Sequence, residues 1–283
     1  MKSIKIVGVP EHFNYPWHLS INKGLFKKNN IDLKWQDVPE GTGKMCQMLK
    51  DGETDLAIVL TEGIVKEILN NNNCSIIQVY VKSPLVWGIH VAAKSDYKSK
   101  KDLQNKTVAI SRYGSGSHLM SYVYSKTNNW SVDNLNFNVV NTLDNAVETL
   151  TKGEADYFMW EKFTTQPLVD KNIFRRIDEC PTPWPCFVIA VRNEVLENEK
   201  ESLKTILKII NTTTKTFKQI NNIDSILAVK YKLDFNKVRD WLVITEWSQS
   251  NLSANMLNKI QNQLLDLKII NKKGIFATII SNV

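Results

Sequence analysis

The segment Leu49-Lys50-Asp51-Gly52-Glu53-Thr54-Asp55-Leu56 recurs later in the chain as Leu150-Thr151-Lys152-Gly153-Glu154-Ala155-Asp156-Tyr157. Leucine, glycine, glutamate and aspartate hold the same places in both copies. Glycine can end a helix in the left-handed conformation, and a tight turn then leads into a buried strand. Many helix-to-strand turns share these residues. Each copy, however, lies at the same point of a strand–helix series, which favours two lobes of similar build.

Short apolar runs alternate with amphipathic stretches around both copies. Strands are predicted at 4–9, 31–36, 55–60, 76–81, 85–93, 107–111, 135–140, 155–160 and 187–192. Helices are predicted at 17–28, 43–50, 64–69, 117–125, 143–151, 199–219, 225–231, 235–245 and 254–267. This alternation indicates an α/β fold with parallel sheets and right-handed crossovers.

The composition is that of a soluble globular protein, with 43% hydrophobic and 23% charged residues among 283. The net charge of +7 is spread over small basic clusters. Because no helix-turn-helix, zinc finger or aromatic-basic RNA motif accompanies them, nucleic-acid binding is not expected. The charge favours an anionic small ligand or simply aids solubility.

No apolar run is long enough to span a membrane, and no secretory signal opens the chain, so a cytoplasmic protein without membrane insertion is expected. Cys46, Cys74, Cys180 and Cys186 are too few and too scattered for a disulfide scaffold, which indicates reduced thiols. A local bridge between Cys180 and Cys186 is the alternative.

Candidate ligand contacts follow from the rule that open parallel sheets bind ligands beyond the carboxyl ends of their strands. Two such sheets facing each other would place these loops along one cleft. The rule selects Glu11–Tyr15, Gly41–Gly43, Thr61–Glu62, Ser111–His118 and Trp160–Glu161.

Two glycine-containing turns precede helices and suit an anion. They are Gly41-Thr42-Gly43 and Gly114-Ser115-Gly116-Ser117, where free N–H groups and the helix dipole would favour a carboxylate, sulfonate or phosphate. The alternative is that these residues only cap their helices. Arg112 could clamp the same anion, or pair with a nearby carboxylate. His118, in the first helical turn, is expected as a neutral imidazole or as an ordinary capping residue.

The remaining candidates are polar anchors and aromatic walls. Glu11 and His12 could anchor a ligand and Tyr15 could stack on it, unless this loop is a hydrophobic staple around the helix start. Glu62 and Glu161 could accept hydrogen bonds from an amine or aminopyrimidine, or pair with neighbouring lysines. The other candidates are Thr61, Trp160 and Trp184. For the two tryptophans, core packing is the alternative explanation.

The search for catalytic motifs is largely negative. The four histidines lack HExxH spacing, no Cys/His set has zinc-finger spacing, and no Gly-x-Ser-x-Gly elbow occurs. No metal and no cofactor are expected. The chain is therefore interpreted as a binding protein rather than an enzyme.

The order of these motifs resembles the type 2 periplasmic-binding-protein fold, in its nitrate/sulfonate/thiamine-precursor branch. The resemblance rests on Gly24-Leu25-Phe26 before Ile31-Asp32-Leu33, on Gly41-Thr42-Gly43 followed by Gly52–Ala57, and on Leu103–Ile110 leading into Ser111–Ser117. It covers nearly the whole chain.

The resemblance implies two lobes joined by crossing strands near 85–94 and 186–195. Lobe I would comprise 1–92 and the C-terminal return at 191–283, and lobe II would comprise 93–190. It also implies a small-molecule ligand, for which a thiamine or pyrimidine precursor is a candidate. Two alternatives follow from the same family: an enzyme of thiamine-pyrimidine synthesis, whose CCCFC motif this chain lacks, and an importer's solute receptor whose leader was removed. The oligomeric state is left open.

Overall fold

The computed structural model describes residues 1–283 and divides them into two compact units. Unit 1 comprises Met1–Ser83 and Trp184–Val283, and unit 2 comprises Pro84–Pro183. The boundaries predicted from the sequence lay after residues 92 and 190. The strand at 86–92 pairs only within the sheet of unit 2, and the strand at 187–192 pairs only within the sheet of unit 1. The chain therefore passes from one unit to the other before each of these strands.

The secondary structure contains ten strands and twelve α-helices. The strands are β1 (Lys2–Gly8), β2 (Ile31–Asp37), β3 (Leu56–Leu60), β4 (Cys74–Val81), β5 (Val86–Ala92), β6 (Thr107–Ile110), β7 (Asn136–Val139), β8 (Tyr157–Glu161), β9 (Phe174–Pro181) and β10 (Phe187–Arg192). The helices are α1 (Tyr15–Asn22), α2 (Thr42–Lys50), α3 (Thr61–Leu69), α4 (Gly116–Thr127), α5 (Leu143–Lys152), α6 (Gln166–Asp170), α7 (Asn193–Asn198), α8 (Lys200–Thr216), α9 (Ile223–Tyr231), α10 (Phe235–Ile244), α11 (Ala254–Asp266) and α12 (Phe276–Ile279).

The two sheets have the same plan. Unit 1 has the strand order β2-β1-β3-β10-β4, and unit 2 has the order β7-β6-β8-β5-β9. The fourth strand in each order, β10 or β5, is antiparallel to both of its neighbours. The prediction of α/β units built alike is confirmed, whereas the prediction of purely parallel sheets is wrong. The antiparallel strand needs no crossover helix, so the alternation of helices and strands does not reveal it.

Two local predictions also differ from the structure. Strand β9 was not predicted, because its sequence FRRIDECP carries four charged residues on a sheet-edge strand. The helix expected at 17–28 ends at Asn22, and Gly24 follows with φ of +65°. Glycine takes this left-handed conformation without strain, so it ends the helix early.

The core of each unit lies on its sheet. Strand β4 is buried along its whole length, and β3 and β10 are nearly so. The helices after β10 all belong to unit 1, where α8 packs on α1 and the hydroxyls of Ser20 and Thr213 lie 2.9 Å apart. All four cysteines are buried and none forms a disulfide, so no bridge joins Cys180 and Cys186. None of the helices is both long enough and apolar enough to cross a membrane.

Candidate functional site

Glu62 and Trp184 form a buried pair at the carboxyl end of β3. The indole Nε1–H of Trp184 donates to Glu62 Oε2 at 2.7 Å, and both side chains are 2% exposed. The other carboxyl oxygen, Oε1, is buried and has no hydrogen-bond partner. Lys66, one turn further along α3, pairs with Glu67 at 3.2 Å. The lysine pairing considered for Glu62 is therefore not the one formed.

Burial raises the pKa of Glu62 from 4.5 to about 7, against smaller opposite effects of its own backbone N–H and of Trp184. A carboxyl group with such a pKa changes its charge near neutral pH. Perturbed acids of this kind are concentrated at functional sites. The neighbouring Thr61 has a structural role, since its hydroxyl donates to the carbonyl of Pro185 at 2.6 Å.

Asn14 is a second buried polar residue at this edge; it lies within the predicted loop Glu11–Tyr15 but was given no role of its own there. Its Nδ2 donates to the carbonyl of Val9 at 2.8 Å, while its Oδ1 is buried without a partner. A Cβ on Gly8, the last residue of β1, would come within 2.8 Å of Asn14 Nδ2. The amide thus lies against the end of the strand next to β3. Asn14 is the N-cap of α1, which begins two residues before the predicted helix 17–28, so its position did not mark it as a ligand contact.

The turn Gly41-Thr42-Gly43 starts α2 without a side-chain cap. Gly41 has φ of +80°, and Thr42 Oγ1 accepts a hydrogen bond from the backbone N–H of Leu60 at 3.1 Å. The Thr42 side chain is thereby turned towards the end of β3, while Gly43 is exposed. The N–H groups of the first helical turn remain the part of this turn that suits an anion.

The loop after β1 packs into an aromatic cluster of unit 1. The His12 imidazole is 2% exposed and lies 4.2 Å, ring centre to ring centre, from Trp241. Burial lowers the pKa of His12 to about 3, so the ring is neutral. Tyr15 contacts Phe217 edge-on, and Glu11 is half-buried at the start of the loop. This environment fits the staple interpretation of the loop better than a charged anchor.

Three serine hydroxyls meet at the carboxyl end of β6 in unit 2. Ser117 Oγ accepts from the backbone N–H of Ser111 at 2.9 Å and lies 3.2 and 3.1 Å from the hydroxyls of Ser111 and Ser115. Ser115 is the N-cap of α4, and its hydroxyl accepts from the His118 N–H at 3.3 Å. The N–H groups of Gly116 and Ser117, in the first turn, have no intrahelical acceptor.

The outer part of the same turn is fixed by His118. Its Nδ1 accepts a hydrogen bond from the backbone N–H of Gly114 at 3.1 Å, which leaves the proton of a neutral ring on Nε2. Gly114 has φ of +77°, a conformation that favours glycine. Arg112 is half-buried in this turn, directly before the exposed Tyr113. The turn therefore places a guanidinium, a helix start and buried hydroxyls within seven consecutive residues of unit 2, 112–118.

Trp160 and Glu161 end β8 with different roles. The half-buried Trp160 ring stacks on Phe158 at 5.4 Å and meets Trp87 edge-on at 6.4 Å. Glu161 is buried, which raises its pKa, yet its Oε2 accepts from the N–H and hydroxyl of Thr164 at 2.6 and 2.8 Å. Lys162 pairs with Glu179 instead. Glu161 thus closes a local turn, and Trp160 is the residue with a partly open aromatic face.

No group of three histidine, cysteine, aspartate or glutamate side chains is arranged to hold a metal ion. The buried histidines are neutral, since the pKa of His90, like that of His12, is lowered to about 3 by burial. Burial also raises the pKa of the Cys74 and Cys180 thiols to about 12. These thiols are not activated nucleophiles.

A protein-family model described as Ca3427-like PBP matches residues 87–180, which lie within unit 2. No match to a curated protein sequence was found. Among solved structures, the CA3427 gene product of Candida albicans is 24% identical with a TM-score of 0.88, over 97% of this chain and 92% of that chain. It is described as defining a new family with the generic periplasmic binding protein fold.

Two sulfonate-binding proteins are also similar in structure. The alkanesulfonate-binding protein SsuA from Xanthomonas axonopodis pv. citri, bound to MOPS, is 14% identical with a TM-score of 0.83, over 100% of this chain and 99% of that chain. The periplasmic aliphatic sulphonate binding protein SsuA from Escherichia coli is 15% identical with a TM-score of 0.76, over 100% and 92%. The predicted resemblance to the periplasmic-binding-protein fold is confirmed.

Proposed function

We propose that the chain binds a small molecule with an anionic group, such as a sulfonate, at the turn between β6 and α4 of unit 2. The observation that carries this proposal is the start of α4, where the Gly116 and Ser117 N–H groups have no intrahelical acceptor. The positive end of the helix dipole favours an anion there. Buried Ser115 and Ser117 and the nearby Arg112 add polar groups to the same turn.

The similar structures support the chemical class. The Xanthomonas and Escherichia coli proteins are described as binding alkanesulfonates or aliphatic sulphonates. Trp160, with its partly open face at the carboxyl end of β8, would suit an aromatic part of the ligand. A thiamine or pyrimidine precursor, implied by the sequence resemblance, is one candidate of this kind. The interlobe cleft and the cytoplasmic location remain predictions of the sequence analysis.

Binding is better supported than catalysis. The pKa values of the Cys74 and Cys180 thiols are raised and those of the His12 and His90 rings are lowered, each by burial. A nucleophile needs an activating base or a lowered pKa, and these groups have the opposite properties. The proposal therefore includes no reaction.

Calorimetric titration with ethanesulfonate and with MOPS tests the proposal. Because the chain carries a net charge of +7, the same titrations with chloride at equal ionic strength are the control for unspecific anion binding. We expect saturable binding of a sulfonate and a matching rise in melting temperature, since a ligand of the folded state stabilises it. The proposal would be contradicted if sulfonates, phosphate and carboxylates all gave the same response as chloride.

A receptor for an importer is the second candidate function. It is favoured by the Escherichia coli neighbour, which is described as periplasmic. Fractionation of cells that express the complete natural gene distinguishes the two candidates. Recovery of the protein with exported proteins would favour the receptor, and recovery with cytoplasmic enzymes would favour a cytoplasmic binding protein.

A further inference from the structure

The Glu62 carboxyl group lies in unit 1, and only one of its two oxygens accepts a hydrogen bond. Trp184 fixes Oε2, and Oε1 is buried without a hydrogen-bond partner. A buried polar atom left without a partner costs on the order of 1–3 kcal/mol. The bond to the buried Trp184 indole needs only one acceptor oxygen, so it does not account for the second, unpaired oxygen of the acid.

Asn14, in the loop after the neighbouring strand β1, shows the same imbalance. Its Nδ2 donates to the Val9 carbonyl, which fixes the orientation of the amide, because the reversed amide would place two oxygens against each other. Its buried Oδ1 is left as an acceptor without a donor. Strands β1 and β3 are adjacent and parallel, so both unused oxygens follow strand ends at one edge of the sheet.

The unused atoms of these two side chains, Glu62 Oε1 and Asn14 Oδ1, are hydrogen-bond acceptors. The hydroxyl of Thr61 donates to the Pro185 carbonyl and so does not supply the donor. Lys66 is engaged by Glu67. A group that satisfies either oxygen must bring its own hydrogens, as an ammonium or another N–H-bearing group does.

We propose that Glu62 Oε1 accepts a hydrogen bond from an N–H group of the ligand, so that unit 1 selects ligands with an ammonium or similar donor. This inference rests on the proposed function as a small-molecule binding protein and adds the chemical class recognised by unit 1. Trp184 is the positioning residue, because its indole holds the carboxyl group by the other oxygen. The pKa of about 7 supports this assignment, since a donor ligand would convert a partly protonated acid into a carboxylate.

The indole N–H signal of Trp184 in nitrogen–proton NMR spectra reports directly on this pair. It is assigned by its loss in Trp184→Phe. Trp35 provides a matched control, because its Nε1–H donates at 2.7 Å to Asp37, whose side chain is 50% exposed. The two probes are methylammonium, which has N–H donors, and tetramethylammonium, which carries the same charge without them, at equal ionic strength.

We expect methylammonium to shift the Trp184 signal saturably and to lower the pH midpoint of that signal, while tetramethylammonium and the Trp35 signal show no such effect. Glu62→Gln should weaken methylammonium binding by about tenfold or more, as expected for loss of a charged hydrogen bond. Glu161→Gln is the control variant, because that carboxyl group is already paired with Thr164. It should leave methylammonium affinity unchanged.

Three results would overturn the assignment: no response of Trp184 to methylammonium, equal responses to both cations, or an unchanged response in Glu62→Gln. A ligand that raises the pH midpoint would show that a neutral Glu62 donates to an acceptor, which is the opposite polarity. Failure of ethanesulfonate to bind would contradict the proposed function alone, because the Trp184 readout uses no sulfonate.

Discussion

Asp55 Oδ2 accepts a hydrogen bond from the backbone N–H of Lys5 at 2.8 Å, and this bond explains the aspartate of the repeated segment. In unit 2, Asp156 Oδ2 accepts from the N–H of Thr107 at 2.7 Å. Each aspartate also donates its own backbone N–H to the carbonyl of the same residue, Lys5 or Thr107. The aspartate thus fastens the turn before β3 or β8 to the adjacent parallel strand, β1 or β6, and its role is structural.

Replacement of these aspartates should destabilise the unit in which each lies. Asp55→Ala and Asp156→Ala each leave a strand N–H without its acceptor, which costs about 1–3 kcal/mol. Denaturant unfolding measures the loss, and faster amide exchange at Lys5 or Thr107 locates it. The control is Asp51→Ala, since exposed Asp51 accepts only from Gln47 on the same helix and should cost under about 0.5 kcal/mol. Equal losses at Asp51 and Asp55 would contradict this role.

The glycine of the repeat should be required for its backbone conformation alone. Gly153 has φ of +74°, and a Cβ there would meet no atom within 4 Å. Gly153→Ala should therefore cost about 1 kcal/mol from the left-handed conformation, without a steric contribution. Gly153→Asn should cost less, because asparagine tolerates this conformation better. Thermal unfolding of the two variants compares them, and a larger loss for asparagine would refute the explanation.

The repeat shows how far local patterns determine this fold. The glycine acts within its own turn, and the aspartate holds the same place in both copies, so the sequence reveals them. Strand β9 escaped prediction because Arg175, Arg176, Asp178 and Glu179 break its apolar pattern at the sheet edge. The antiparallel places of β5 and β10 depend on pairing between residues far apart in the chain, which no local pattern encodes.

The candidate site was predictable to a similar extent. Helix starts such as Ser115–Ser117 follow from local capping rules, so the turn before α4 was selected. The partnership of Glu62 with Trp184 joins residues 122 positions apart, and only the folded chain shows it. Asn14 lay in the predicted loop Glu11–Tyr15, but its role was not foreseen, because its unused oxygen depends on burial rather than on sequence spacing.

Gly63 should tolerate a methyl group only if Thr42 loses its own. A Cβ on Gly63 would come within 2.5 Å of Thr42 Cγ2, while the next atom, Thr42 Cβ, would be 3.6 Å away. Gly63→Ala should destabilise the protein by about 1–3 kcal/mol. In Thr42→Ser the methyl group is absent but the hydroxyl that accepts from Leu60 N–H remains.

The double variant Thr42→Ser/Gly63→Ala should therefore be about as stable as Thr42→Ser alone. Denaturant unfolding of the two single variants and the double variant completes the cycle. Additive losses would show that the clash is relieved elsewhere and that this contact does not fix the start of α3.

Glu62 should reduce stability as the pH rises. Its folded pKa is raised from 4.5 to about 7, so the folded state binds this proton more tightly than the unfolded state. The penalty is absent below the unfolded pKa, grows from about pH 4.5 to 7, and is complete above the folded pKa. At 1.36 kcal/mol per pKa unit it reaches roughly 3 kcal/mol.

Glu62→Gln removes this titration and nearly preserves the shape of the side chain. The stability of the variant relative to wild type should therefore increase between pH 5 and pH 8, measured by urea unfolding across that range. Subtraction of the wild-type profile cancels the titration of other groups. A constant difference across the range would mean that Glu62 has an ordinary pKa.

Gly116→Pro tests the anion site by removing one hydrogen-bond donor. Gly116 is the first helical residue after the N-cap Ser115, a position where proline is favoured because its N–H is not needed within the helix. Ser115 has φ of −78° and ψ of 170°, a conformation suited to a residue before proline. The variant should thus fold normally but weaken sulfonate binding by about tenfold, the effect of one hydrogen bond to a charged group.

Gly116→Ala keeps the N–H and adds a side chain, so its affinity should stay near wild type. If calorimetry gives both variants the same loss, bulk rather than the N–H donor controls binding, and the Gly116 N–H does not hold the anion.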